Sequence, residues 1–318
     1  MNALFIINPN SGMRIIQVQA LEMAKHLIKK RILESCNIIS TQKGGDAFEI
    51  TSKLHPGDWD FVLAAGGDGT INEVVSGLVT SDCGIPLLIL GAGTTNDFAT
   101  AVGIGKTAMT LEKLVKDFCV KDVDVGECNG HYFLNVVVGG TISNIAHSIP
   151  ADQKAQFGIL AYYFAGLKEL GDGSFKNTKL RLTVNGETFD EDVFLLVVAN
   201  SCQAGGFGSV APKAKLDDGL FDVLVIKGIE KVDVIPLYSL IQSGKHLDSK
   251  YCRFFQTKAV HAELLEEGTG FQLDYDGERA GNMPLDIAVS DRKLKLIVPK
   301  RSAKTRKLFG ADAAKNNK

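Results

Sequence analysis

Short apolar runs recur through the first 90 residues, at Ala3–Ile7, Asn37–Ser40, Phe61–Ala65 and Pro86–Leu90. Helical patterns lie between them, over Ile15–Lys30, Asp46–Leu54 and Ile71–Leu78. This alternation constrains the fold more than any other feature. A strand buried on both faces needs helices above and below it, so strand–helix repeats predict a parallel sheet in an α/β domain. Ligands of such sheets bind at the carboxyl ends of the strands. Four loops fall at that edge: NPNSG (Asn8–Gly12), STQKGGD (Ser40–Asp46), GGDGT (Gly66–Thr70) and GAGTTND (Gly91–Asp97).

After about residue 120 the pattern changes to closely spaced strands. Leu180, Leu182 and Val184 alternate before Asn185-Gly186, a dipeptide suited to a type I′ hairpin turn. Asn129-Gly130 marks a second such turn. Two helices interrupt, at Phe157–Leu170 and Val232–Ser243. The reading is an α/β domain over residues 1–125 and a mainly antiparallel domain over 126–293, with a catalytic cleft between them.

The bulk numbers exclude several classes. A net charge of -2 gives no general case for nucleic acid. The six cysteines form no CxxC pair, which fits reduced thiols in the cytoplasm rather than a disulfide frame or zinc site. The opening MNALFIINPNSG lacks a basic n-region and reads as a strand, not a signal peptide. No stretch reaches the roughly 20 apolar residues of a spanning helix, so membrane contact is expected to be peripheral.

GGDGT sits between the strand at Phe61–Ala65 and the helix from Ile71. Backbone N–H groups and the helix dipole at such a turn suit phosphate. Thr70 and Glu73 fit a capping box for that helix. Asp68 should repel phosphate unless a divalent cation lies between them, which points to metal-assisted phosphoryl transfer. The usual P-loop is absent: GIGKT at Gly103–Thr107 has Thr100 where the leading glycine belongs.

Several motifs then occur in order: GGDGT, GTTNDFA (Gly93–Ala99), DVG (Asp124–Gly126), KLDDGLFDVLVI (Lys215–Ile226) and DYDGERAGNMP (Asp274–Pro284). With NPNSG they cover nearly the whole chain. Together they resemble the diacylglycerol kinase catalytic domain superfamily, nearest to soluble bacterial diacylglycerol kinase B and YegS-like lipid kinases. The resemblance implies a Rossmann-like nucleotide domain of the NAD-kinase and diacylglycerol-kinase type, followed by an antiparallel β-sandwich. It also implies that the last strand, within residues 294–318, returns to the first domain.

The implied reaction moves the ATP γ-phosphoryl group to a lipid hydroxyl, most simply that of diacylglycerol to give phosphatidic acid. The implied nucleotide residues are Asn8, Pro9, Asn10, Ser11, Gly12, Thr41, Gly66, Gly67, Asp68, Gly69, Thr70, Ile71, Asn72, Thr94 and Asn96. Asp276 is expected as the base, with Glu278 sharing or supporting that role. Mg²⁺ on ATP is expected at Asp68, supported by Asp97 and Asp124. A second, structural Mg²⁺ is implied at Asp218 and the carbonyls of Lys215 and Leu220. The partners are ATP, a membrane lipid and a peripheral membrane surface at the inner face; a homodimer stays open. The helix Phe157–Leu170 reads either as a core helix or as the lining of an acyl-chain entrance, and the basic tail from Lys300 as a solvated end or a lipid-facing patch.

The chain departs from the family pattern at Gly91, where proline is usual, and at Thr100, where arginine is usual. Met13 and Ala165 also replace basic residues of close diacylglycerol kinases. These changes remove cations and leave the lipid head group open: a ceramide, sphingoid base or phosphatidylglycerol kinase stays in class. NAD kinase and a non-catalytic regulator are the rivals outside it.

Overall fold

The computed structural model describes residues 1–10, 15–91, 97–104, 108–117, 119–140, 177–202, 210–266, 271–276, 278–281, 283–300 and 308–309. Of the expected features, Ser11, Gly12, Thr94, Asn96, the segment 157–170 and most of the tail lie outside these residues.

The apolar runs form β1 (Asn2–Ile7), β2 (Ser35–Ser40), β3 (Phe61–Gly66) and β4 (Leu87–Gly91), paired in parallel. Every residue of β3 and β4 is buried, as a strand covered on both faces requires. The helices are α1 (Ile15–Lys29), α2 (Asp46–Thr51), α3 (Asp68–Ser81), α4 (Asp97–Val102) and α5 (Ala108–Lys116). α2 and α3 pack closely because Gly77 has no side chain. A Cβ there would lie 1.9 Å from Thr51 Oγ1.

β5 (Cys119–Val123) and β17 (Leu294–Val298) complete a six-stranded sheet in the order β2-β1-β3-β4-β17-β5. β17 runs parallel to β4 and antiparallel to β5. The C-terminal strand thus enters the sheet of the N-terminal unit. That unit comprises residues 1–125, 216–218 and 290–318; the second comprises 126–215 and 219–289.

The second unit is an antiparallel β-sandwich-like domain of eleven strands among the described residues. Its organiser is the long β10 (Glu187–Ala199). The first half pairs with β9 (Thr178–Val184) through the Asn185-Gly186 turn, whose φ values of 53° and 80° fit type I′. The second half pairs on either side with β8 (Val136–Gly140) and β11 (Phe221–Lys227). A register shift separates the halves between Val193 and Leu195. Phe194 and Leu195 consequently enter the same core cluster, with α6 (Val234–Gln242), while Val193 and Leu196 enter the opposite one. The bulge thus sets two consecutive side chains on one face, while the alternation on either side of it supplies both apolar layers.

Candidate active site

In the first unit Asn8, Thr41, Gly66 and Thr70, all expected at the nucleotide, lie at the carboxyl edge of the sheet. Asn8 follows β1, and its N–H donates to Ala65 O at 2.9 Å. Its side-chain amide donates to Thr70 Oγ1 at 2.9 Å, and its Oδ1 accepts from Asn10 N at 3.0 Å. Thr41 follows β2 and is held to Ile7 O through its backbone N–H at 2.9 Å. Gly66 closes β3 directly against Thr70: a Cβ would lie 2.6 Å from Thr70 Cβ. The turn is tied together by contacts that only these small residues permit.

α3 begins at Asp68 with Gly67 as N-cap, three residues earlier than the apolar period predicts. The capping-box reading of Thr70 and Glu73 is corrected accordingly. Thr70 lies inside the first turn, where it receives Asn8. Glu73 instead caps α2, accepting from Gly45 N at 2.9 Å and Ala47 N at 3.2 Å. The N-cap of α3 is Gly67, which has no side chain to make a cap bond, and the positive end of the helix dipole there suits an anion. Asn72 is 5% exposed, and its Nδ2 finds no acceptor among the described residues. A buried donor of this kind costs stability unless a ligand engages it. The edge of β1, β2 and β3 therefore fits a phosphate-bearing ligand.

The acids separate by environment. Asp68 is half-buried in the first turn of α3. Asp97 opens α4. Asp124 is fully buried and pairs with Lys293 Nζ at 2.8 Å, while its N–H donates to Leu216 O at 2.7 Å. It thus anchors the segment 216–218 to the first unit, a task the sequence did not suggest. In that segment Asp218 is exposed beside Gly219, whose φ is 70°. No group of three His, Cys, Asp or Glu that could hold a metal occurs among the described residues. A divalent metal that keeps several waters needs only one or two carboxylates from the protein.

In the second unit β14 (Gln272–Tyr275) and β15 (Glu278–Gly281) pair at Tyr275 and Glu278, which puts Asp276 in the turn with φ 50°. Its carboxylate accepts three backbone N–H groups: Leu134 at 2.7 Å on Oδ2, and Asn135 and Val136 at 2.9 Å each on Oδ1. Its own N–H donates to Val136 O at 2.9 Å. A carboxylate has about four lone-pair sites, and three are taken here. This is the load of an anchor. The carboxylate therefore has a structural task, tying the turn to residues 134–136, beside the base role expected of it. Sequence reasoning missed the segment 134–136 because backbone amides have no residue code.

Comparison with known proteins bears on the whole chain. The diacylglycerol kinase catalytic domain family matches residues 2–128, and the YegS C-terminal NAD kinase beta sandwich-like domain family matches residues 135–298. A Bacillus subtilis diacylglycerol kinase is 30% identical over 302 residues, 95% of this chain and 97% of that protein. The chain belongs to the diacylglycerol kinase family. A Staphylococcus aureus diacylglycerol kinase is likewise 30% identical, over 93% of this chain and 92% of its own length. A solved structure from Bacillus anthracis superposes with a TM-score of 0.79 at 26% identity, covering 94% of this chain and 95% of that one. As a member of the diacylglycerol kinase family the protein is a lipid kinase, which uses ATP and a divalent metal. No described helix is long and apolar enough to cross a membrane.

Proposed function

We propose that the protein transfers the γ-phosphoryl group of ATP to the free hydroxyl of diacylglycerol, giving phosphatidic acid. The observation that carries this reading is the match to relatives named diacylglycerol kinase along almost the whole chain, with both family domains present in order. The nucleotide edge supports it: Asn8, Gly66, Thr70 and Asn72 converge there, and Asn72 holds a buried donor ready for an acceptor.

Phosphoryl transfer needs charge neutralisation, positioning and a group to take the hydroxyl proton. Mg²⁺ at Asp68 would supply the first. Asn8, Asn10, Thr41 and the first turn of α3 position the nucleotide; Pro9, Ser11, Gly12, Thr94 and Asn96 complete the loops from which that set is drawn. The proton goes to Glu278 in this reading, because Asp276 two residues earlier is committed to three amides. Asp276 then holds the start of β15 in place. A second Mg²⁺ at Asp218, with the carbonyls of Lys215 and Leu220, would stiffen the loop that precedes β11.

The enzyme meets its substrate at the cytoplasmic membrane surface. Val232, in the turn just before α6, and Ile235 on α6 support this: they are 77% and 65% exposed, and α6 itself carries no charged residue. Such a face suits the interface of a bilayer.

The test is a label-transfer assay with γ-labelled ATP and Mg²⁺. Vesicles carry diacylglycerol, ceramide, sphingosine or phosphatidylglycerol, and NAD is offered in solution. Label in phosphatidic acid supports the reading, and label in NAD alone refutes it. Glu278→Gln should abolish transfer while ATP still binds; a parental rate would remove Glu278 as base.

A further inference from the structure

All six backbone polar groups of Leu134–Val136 are claimed. The three N–H groups go to the Asp276 carboxylate. The Val136 carbonyl accepts the Asp276 N–H. The remaining two carbonyls belong to one residue: Asn200 Nδ2 donates to Leu134 O at 2.8 Å, and Asn200 N donates to Asn135 O at 2.9 Å. Ser201 Oγ donates to the Asn135 side-chain oxygen in a short contact. Asn200 and Ser201 are fully buried, and Asn135 is 8% exposed.

This arrangement is unusual for a strand end. Asn200 and Ser201 follow seven consecutive buried apolar residues, Val193–Ala199. Burying polar side chains there is costly unless each is bonded. Asn200 spends its amide on a backbone carbonyl that sheet pairing leaves open, and Ser201 fixes the side chain of the residue between the amides that hold Asp276. The chain of bonds therefore runs from the end of β10, through 134–136, to the acidic turn at Asp276. A carboxylate gripped by amides is only as well placed as the amides themselves.

We infer that Asn200, Ser201 and Asn135 are positioning residues for the acidic turn, acting through the amides of 134–136 to set where β15 starts and hence where Glu278 stands. The inference rests on the proposed role of Glu278. None of the three touches the reacting atoms. Their contribution enters through geometry: a general base must lie within hydrogen-bond reach of the hydroxyl it serves, and small displacements are expensive in rate.

The test compares Ser201→Ala, Asn135→Ala and the double variant with the parent, measuring kcat, KM for ATP and melting temperature, with Glu278→Gln alongside. Ser201→Ala is expected to lower kcat about tenfold, the effect of about one hydrogen bond, with KM for ATP within about twofold. The double variant should be no slower than the slower single, because both remove the same link. An unchanged kcat per folded molecule with a lowered melting temperature would overturn the inference, since a purely structural pair gives that result. Multiplying losses in the double variant would overturn it as well. Should Asn135→Ala fail to give a melting transition, Ser201→Ala decides alone through its kcat and KM. Failure of the underlying reading looks different: Glu278→Gln then keeps the parental rate, whatever Ser201→Ala does.

Discussion

Removing the Asp276 carboxylate should destabilise the second unit by an amount that follows from its bonds. Glycine is the informative replacement, because residue 276 has φ 50° and alanine would add about 1–2 kcal/mol of left-handed strain. Asp276→Gly leaves three amides without their acceptor. A hydrogen bond to a charged group contributes about 1.5–3 kcal/mol when buried. Asp276 is half-buried, so water can reach part of the gap, and about 1 kcal/mol per amide is the better figure. The loss is then about 3 kcal/mol, or about 6–12 °C for a domain of this size.

Asp276→Asn separates the bonds from the charge. The Asn carbonyl can still accept from Asn135 and Val136, but its NH₂ group would face the Leu134 N–H, donor against donor. One bond of three is lost, about 1–1.5 kcal/mol, or about 2–6 °C. Asparagine tolerates the left-handed backbone, so no strain confuses the comparison. Thermal melting by circular dichroism, checked by urea titration, reads both. If Asp276→Gly melts within about 1 °C of the parent, or Asp276→Asn is as damaging as Asp276→Gly, the anchor argument fails.

Other expectations follow from the same structure. Gly77→Ala should cost at least about 1–3 kcal/mol, because its Cβ would overlap Thr51 Oγ1 and the Phe48 carbonyl; an unchanged urea midpoint would contradict the close α2–α3 approach. His246 is fully buried, and burial pushes its pKa below the ordinary histidine value, while the bond to the Val210 carbonyl opposes the shift. Below about pH 6.5 the unfolded chain takes up a proton that the folded chain resists, so stability should fall as pH drops through that value and stay flat above it. His246→Gln should flatten that acid limb, and an identical limb would refute the assignment. If a structural Mg²⁺ binds at Asp218, adding Mg²⁺ should raise the melting temperature of the parent and not of Asp218→Ala; equal shifts in both would remove the site. Val232→Glu with Ile235→Glu should weaken vesicle flotation and raise the apparent KM for lipid, with KM for ATP unchanged; full flotation would clear α6 of a membrane role.

Much of the first unit was legible from residue order. Buried parallel strands must be apolar along their length, and covering helices must be amphipathic, so β1, β3, β4 and α1 show themselves in the sequence. The hairpins at Asn129 and Asn185 were equally legible, because few dipeptides tolerate two positive φ angles. Glycines at a strand-to-helix turn marked the carboxyl edge of the first sheet as the place to expect a phosphate, and Asp68 beside them pointed to a cation. What residue order could not carry was pairing at a distance. Glu73 reads locally as a capping partner for its own helix, yet it caps α2, because the two helices cross at Gly77. Nothing in the sequence around Asp124 indicates that its carboxylate meets Lys293. Asp276 was expected as a base from its own segment alone, which gave no sign that it also holds an amide 140 residues away in sequence. A side chain's type states what it can bond, and that much is local. Which partner it meets depends on strands that pack from opposite ends of the chain, and only the tertiary structure brings them together.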